Sequence, residues 1–283
     1  MVESGQPSRT PRYAPRAGAP TGLELLDFDR LRGMPVAAGR EMIRGDFHVL
    51  ARCTAGSGRL TVDFTEHDLT ADTIAWIHPG WTHRWDDIAD LKGDLVLVRS
   101  DLVPTAALGR LPSTPPIVPA NTLTDTAFDH LAGEYAADRP DPAVLGHLLG
   151  AMTLRLAAAL PAVPGCTDLF GRFARLVERY HAETREVSWY AAQLGCSPRT
   201  LSRAVHTATA ATAKQYVNAR VILEAKRLLA HGAATTADCA RRLGFDDPAN
   251  FTKFFRTHTA TTPTGFRLEV TPRGNPGGTP VNA

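Results

Sequence analysis

The chain has 283 residues, 43% apolar and 21% charged, with a formal charge of +2. This is an ordinary globular composition, long enough for two domains, and it excludes a low-complexity or collagen-like chain. No uninterrupted apolar run approaches the roughly eighteen residues of a membrane span, and four scattered cysteines without a CxxC pair argue against a zinc knot.

In chain order, residues 1–20 are rich in Pro, Arg, Ser and Gly without a signal-peptide core, and are expected to form a disordered arm. Residues 21–110 are strand-like. Phe47–Cys53 and Leu60–Phe64 flank Thr54-Ala55-Gly56-Ser57-Gly58 as a hairpin-like pair. Thr73–His78 is a further β-favouring run, ended by Pro79-Gly80, and Leu95–Arg99 is another. Short strands with turn signals predict a small β-barrel or sandwich.

Residues 111–163 open with Pro112, Pro115, Pro116 and Pro119, a linker signal, and continue into two helical stretches, about 124–137 and 142–160. In the second, Leu145, Leu149, Met152 and Leu156 step by four and three. That seam suits pairing with a twin helix, and it suits packing on the chain's own barrel equally well. Pro161-Ala162-Val163-Pro164-Gly165 is a candidate hinge.

Residues 164–270 hold two copies of one pattern. Ala191, Leu194 and Gly195 recur as Ala240, Leu243 and Gly244, and Ser197-Pro198 recurs as Asp247-Pro248. Each copy predicts a short helix, a glycine turn with positive φ, a side-chain cap and a second helix with proline in its first turn. That is the outline of a helix-turn-helix. Leu201 with Val205, and Phe251 with Phe255, give each second helix an inward face.

The opposite faces carry Arg199, Ser202, Arg203 and His206 in the first copy, and Asn250, Thr252, Lys253 and Arg256 in the second. Arg can bridge guanine, Asn can bridge adenine and Thr can offer its methyl to thymine. Arg199, Ser202, Arg203, Asn250, Thr252 and Lys253 are therefore the expected base readers; Thr200, His206 and Arg256 are expected at phosphates. A helix from about 213 to 231, capped by Thr212 and stopped by Gly232, separates the copies and sets their spacing. Cys196 and Cys239 fall at apolar positions and are expected to be buried thiols. Residues 271–283 form an expected tail.

Charge is divided in the same way. Residues 22–110 carry about 10 Lys/Arg against 14 Asp/Glu, and residues 168–270 about 15 against 9. An acidic half joined to a basic half fits a nucleic-acid reader attached to a sensor.

The stretch from Phe170 to Arg267 resembles the DNA-binding domain of the AraC/XylS family of transcription regulators. The resemblance is carried by Ser197-Pro198-Arg199-Thr200-Leu201-Ser202-Arg203, Lys214-Gln215-Tyr216, Glu224-Ala225-Lys226-Arg227-Leu228-Leu229, Leu243-Gly244-Phe245-Asp246-Asp247 and Pro263-Thr264-Gly265-Phe266-Arg267. It implies a seven-helix domain whose two recognition helices enter successive major grooves. The chain departs from the family at Ala204-Val205-His206-Thr207-Ala208, where bulky apolar and basic residues are usual. It departs again at Ala210-Ala211-Thr212-Ala213, where a glycine and Ser-Pro are usual.

Gly56-x-Gly58, Val62-Asp63 and Pro79-Gly80-Trp81-Thr82-His83-Arg84-Trp85 are similar to the cupin-like sensor that often precedes such readers. The resemblance thus implies an α+β chain of two domains, acting in the cytoplasm. Its implied partners are double-stranded promoter DNA, RNA polymerase, a second copy of the chain and a small-molecule effector, with no membrane. His48, Trp76, His83 and Trp85 are the candidates to line an effector pocket. A rival reading is a cupin-type metalloenzyme with an accessory helical domain. It needs a metal, and the sequence holds no H-x-H pair, so no catalytic residue, metal ligand or cofactor is expected.

Overall fold

The computed structural model of the chain describes residues 22–34, 42–108, 116–159, 169–231 and 234–270. The arm, the hinge, the tail, Gly232 and Cys166 lie outside these residues.

Among the described residues the N-terminal half contains nine strands: β1 Leu23–Asp27, β2 Ile43–Arg44, β3 Phe47–Ala55, β4 Ser57–Val62, β5 Thr65–Thr70, β6 Thr73–Ile77, β7 Thr82–Asp87, β8 Lys92–Arg99 and β9 Ile117–Pro119. They form two antiparallel sheets, ordered β1-β8-β3-β6-β9 and β2-β7-β4-β5. The expected hairpin between residues 47–53 and 60–64 is not there. β3 pairs with β6 and β8, and β4 pairs with β5 and β7. The chain changes sheets at Gly56, whose φ is +81° and where a Cβ would lie 2.0 Å from the Asp90 carbonyl oxygen. Only glycine makes that corner, and the corner breaks the register that a hairpin needs. The sheet also continues beyond residue 110, because β9 pairs with β6 inside the expected linker.

Alternation along the strands explains the layering. Val49, Ala51 and Cys53 of β3 face the second sheet together with Ala75, Ile77 and Leu95. Leu50, Ile74, Trp76, Val96 and Val98 face the opposite way, onto a helical layer. A short α1 (Phe28–Arg32) packs Phe28 and Leu31 into the core between the sheets, whereas the helical layer comprises α2 (Thr105–Leu108), α3 (Thr122–Tyr135) and α4 (Pro142–Ala159). The five-stranded sheet is covered on both faces, so its strands read as nearly continuous apolar runs.

Leu145, Leu149, Met152 and Leu156, the expected twin-helix seam, all pack into this chain's own core, none more than 2% exposed. The reason is that α4 is apolar on two faces, and the sheet claims the wider one. The helix is long and apolar enough by composition to cross a membrane, with a mean hydropathy of 1.3 over 18 residues. Its buried face makes it a core helix of the sandwich.

The C-terminal part has seven helices among the described residues: α5 Leu169–Tyr180, α6 Val187–Gln193, α7 Pro198–Thr209, α8 Ala213–Ala230, α9 Thr236–Arg242, α10 Pro248–Thr259 and α11 Pro263–Val270. They enclose two cores. One packs α5, α6 and α7 around Phe173, Tyr190, Leu201 and Val205; the other packs α9, α10 and α11 around Cys239, Phe251, Phe255 and Phe266. α8 contributes to both, with Ala213 and Val217 in the first and Val221, Ala225 and Leu229 in the second. Cys239 is buried as expected, while Cys196 is only half-buried.

Candidate nucleic-acid interface

The two repeated units superpose in their local chemistry. Gly195 and Gly244 share a φ of +67°, and each ends a short helix with a six-to-one closure: Cys196 N–H donates to the Ala191 carbonyl at 3.0 Å, and Phe245 N–H to that of Ala240 at 2.9 Å. Gly244 has a second constraint, since a Cβ there would lie 2.3 Å from the Ala182 carbonyl oxygen. Ser197 Oγ then accepts from Thr200 N–H at 3.1 Å, and Asp247 Oδ1 from Ala249 N–H at 2.9 Å, with Pro198 and Pro248 in the first turns. Each such cap stabilises its helix by about 1 kcal/mol.

The repeat extends past the point where the sequence comparison stopped. Ala210 (φ +56°) and Ala260 (φ +61°) are left-handed caps closing α7 and α10, each donating its N–H back to residue i−4. Thr209 and Thr259 sit before them, and each hydroxyl bonds the carbonyl four residues earlier at 2.8 Å. The signal was a Thr-Ala doublet at equal spacing, inconspicuous because alanine is not an expected left-handed residue.

On α7, Leu201 and Val205 are fully buried, while Arg199, Thr200, Arg203 and His206 are exposed and Ser202 is half-buried. On α10, Phe251 and Phe255 are fully buried; Asn250, Lys253 and Arg256 are exposed, and Thr252 is half-buried. Two hydroxyls are already engaged. Thr200 Oγ1 lies 2.9 Å from Ser197 Oγ, and Thr252 Oγ1 donates to the Pro248 carbonyl at 2.9 Å.

The units are tied together by more than α8, which carries a full capping box between Thr212 and Gln215. Arg185, between α5 and α6, reaches the turn of the second unit. It donates to the carbonyls of Leu243 at 2.9 Å and Gly244 at 3.3 Å, and its guanidinium lies 3.9 Å from the Phe245 ring centroid. Lys214 Nζ holds the Arg185 carbonyl at 2.8 Å. Sequence reasoning missed Arg185, because its partner lies 58 residues away.

The four candidate effector residues divide between two faces. His83 and Trp85 lie within the sandwich, both 5% exposed, with ring centroids 6.0 Å apart. His48 and Trp76 lie on the other face of the five-stranded sheet. Of the four, only His48 lines the cavity of about 660 Å³ between the sandwich and the C-terminal helices, with Asp63, His78, Trp81, Arg220 and Arg227 also in its wall.

Hydrogen bonding fixes the protonation there. Trp76 Nε1–H can only donate, and it meets His48 Nδ1 at 3.3 Å. His48 Nδ1 is therefore an acceptor, so His78 Nδ1, 3.1 Å away, donates to it, and His78 Nε2 carries the lone pair. Burial lowers His48 to about 4, and burial, His48 and Arg227 together lower His78. His78 Nε2 is buried without a partner among the described residues.

Charge lines the seam. Asp63 in the β4–β5 turn takes a two-pronged bond from Arg227, at 2.8 Å from Nε and 2.5 Å from the terminal nitrogen. Arg44 reaches Glu224 at 2.5 Å, and Arg220 joins Glu224 to Glu178. Burial raises the Glu224 carboxyl, but Arg44 and then Arg220 hold it down to about 2. Among the described residues no group of His, Cys, Asp or Glu has the arrangement of a metal site.

A sandwich with a cavity at its edge, joined to paired helix-turn-helix units, is the architecture of a DNA reader that carries a second domain. Family models agree. One described as an AraC-like ligand binding domain matches residues 27–153, and one described as a helix-turn-helix domain matches 190–269. The chain belongs to the AraC/XylS family of transcription regulators, with an N-terminal ligand-binding domain and a C-terminal helix-turn-helix domain.

It is similar to the HTH-type transcriptional activator RhaS of Escherichia coli O139:H28 (strain E24377A / ETEC), 38% identical over 73 residues, which cover 25% of this chain and 26% of that protein. The match thus spans about a quarter of the length of that curated relative. Among solved structures it is similar to an AraC-type regulator from Chromobacterium violaceum, 21% identical over 38% of this chain and 95% of that one, with a TM-score of 0.34. It is also similar to unsaturated fatty acid bound ToxT from Vibrio cholerae strain SCE256, 10% identical over 83% of this chain and 91% of that one, with a TM-score of 0.45. Both structural likenesses are slight, and the assignment rests on the family models.

Proposed function

We propose that the chain is a cytoplasmic, sequence-specific transcription regulator that reads promoter DNA with α7 and α10. One observation carries this reading: two equally capped helices expose cationic and amide side chains, and Arg185 ties one unit to the turn of the other. Arg199, Ser202, Arg203, Asn250, Thr252 and Lys253 read bases. The hydroxyl of Thr252 is spent on its own helix, so its methyl is the group left for thymine. Thr200, His206 and Arg256 contact phosphates, and RNA polymerase is the downstream partner.

The effector site in this reading is the cavity at the sandwich edge, with a ligand offering an O–H or N–H donor to His78 Nε2. Trp76, His83 and Trp85 support its wall as packed residues. The dimer forms through the second apolar stripe of α4. Val144 and Leu154 there are 41% and 43% exposed, and Leu123 at the start of α3 is 59% exposed.

Binding-site selection with the full chain tests the DNA reading. A selected duplex is expected to bind with an affinity that falls steeply with salt, because cations released from phosphates drive association. Selection of no preferred sequence would refute it.

A further inference from the structure

The β4–β5 turn has an unusual backbone. Val62 pairs with Thr65, so the loop is just Asp63-Phe64, and both residues have positive φ, +47° and +69°. Two-residue hairpins of this form favour Asn-Gly or Asp-Gly, because a side chain is penalised at the second position. Phenylalanine occupies it here. Such strain persists only where the surroundings enforce it.

The enforcement comes from the DNA-binding half. Phe64 packs against the core of the second helix-turn-helix unit, its ring 5.3 Å from that of Phe266 at 73°, with Lys226 Nζ 6.0 Å from its centroid. Beside it, Asp63 Oδ1 accepts from Thr82 N–H at 3.1 Å as well as from Arg227, whose side chain is 5% exposed. A strained turn thus offers one charged and one aromatic anchor, and both engage the helix that separates the recognition units or the helix packed on it. Asp63 and Arg227 also form part of the cavity wall.

We propose that the Asp63-Phe64 turn is a releasable latch that holds the second helix-turn-helix unit to the sandwich and restrains DNA binding. The direction follows from charge. The latch holds an acidic domain beside a basic one, and the negative charge brought close weakens the attraction of the basic half for DNA phosphates. A ligand in the cavity contacts the Asp63–Arg227 pair and shifts the latch by preferring one of its two states. This trigger rests on the effector reading above; the latch does not.

Phe64→Gly tests the latch in the full chain, because glycine suits the turn and removes only the anchor. Asp63→Asn removes the charge. Amide exchange over Pro263–Val270 is expected to quicken at least tenfold in Phe64→Gly. Affinity for the duplex selected by the parent chain is expected to rise about tenfold in each variant, with the double variant gaining less than the product, since both anchors serve one contact. Unchanged exchange, or affinity within twofold of the parent or below it, overturns the latch. Latch variants that tighten DNA binding while no metabolite binds the cavity would sink the effector reading alone. A metabolite that modulates DNA binding equally in parent and variants would sink the trigger alone.

Discussion

The guanidinium of Arg185 lies 3.9 Å from the centre of the Phe245 ring while donating to the carbonyls of Leu243 and Gly244. One side chain from the connection leading into the first helix-turn-helix unit thus closes the turn of the second. A stacked cation contributes about 0.5–2 kcal/mol and hydrogen bonds from a charged donor more. Arg185→Ala is expected to destabilise the C-terminal domain by about 2 kcal/mol in chemical unfolding and to weaken binding to a complete site about tenfold. Binding to an isolated half-site is expected to change little, because what is lost is the effective concentration of one unit for its groove. Arg185→Lys restores only part, since an ammonium neither stacks as a plane nor reaches two carbonyls.

The paired left-handed caps give a second expectation. Ala210 and Ala260 adopt φ of +56° and +61°, where a Cβ is penalised and glycine is not. Ala210→Gly and Ala260→Gly are each expected to raise unfolding stability by about 0.5–1 kcal/mol, and the two to add. Thermal denaturation checks this; a loss of stability in both would mean the caps relax elsewhere.

Stability is expected to fall with acid well above the carboxylate range. Burial lowers His83 to about 4, partly offset by Asp63, and lowers His48 to about 4. Both are neutral in the fold, and the unfolded chain binds their protons near the ordinary pKa of 6.5. Their contribution is therefore complete above about pH 6.5 and is lost as pH falls toward 4, by about 2 kcal/mol for each histidine at pH 5. Urea unfolding between pH 7.5 and about 5 measures the slope. A flat profile would show that these rings reach solvent.

Dimer formation has a local test. Leu154→Glu together with Val144→Glu places two charges on the outer stripe of α4, leaving the buried Leu149 and Met152 untouched. Sedimentation is expected to show a dimer for the parent and a monomer for the variant, with helix content preserved. A variant as dimeric as the parent would place the interface elsewhere.

Much of the DNA-binding half was legible in the sequence because its rules are local. Ser197 and Asp247 cap within three residues, Pro198 and Pro248 need only the first turn, and Gly195 and Gly244 announce positive φ. The sandwich was less legible, since its decisive event is a one-residue corner at Gly56 that sends β3 and β4 into different sheets. The seam of Leu145 and Leu149 illustrates a different limit. A helix apolar on two faces does not reveal which face meets the chain's own sheet. Long-range pairs such as Asp63 with Arg227, and Arg185 with Phe245, leave no periodic trace. Arg227 lay within the residues that carried the family resemblance, but nothing in the sequence tied it to Asp63.

The central claim is that α7 and α10 enter consecutive major grooves on one face of DNA. Hydroxyl-radical and base-contact footprinting of a selected duplex, with the parent, Arg203→Ala and Asn250→Ala, tests it most directly. Two protected tracts about 10 base pairs apart are expected for each protomer, one losing base preference in each variant at a cost of about 1–3 kcal/mol. A single protected tract, or unaltered base preference in both variants, would contradict the account.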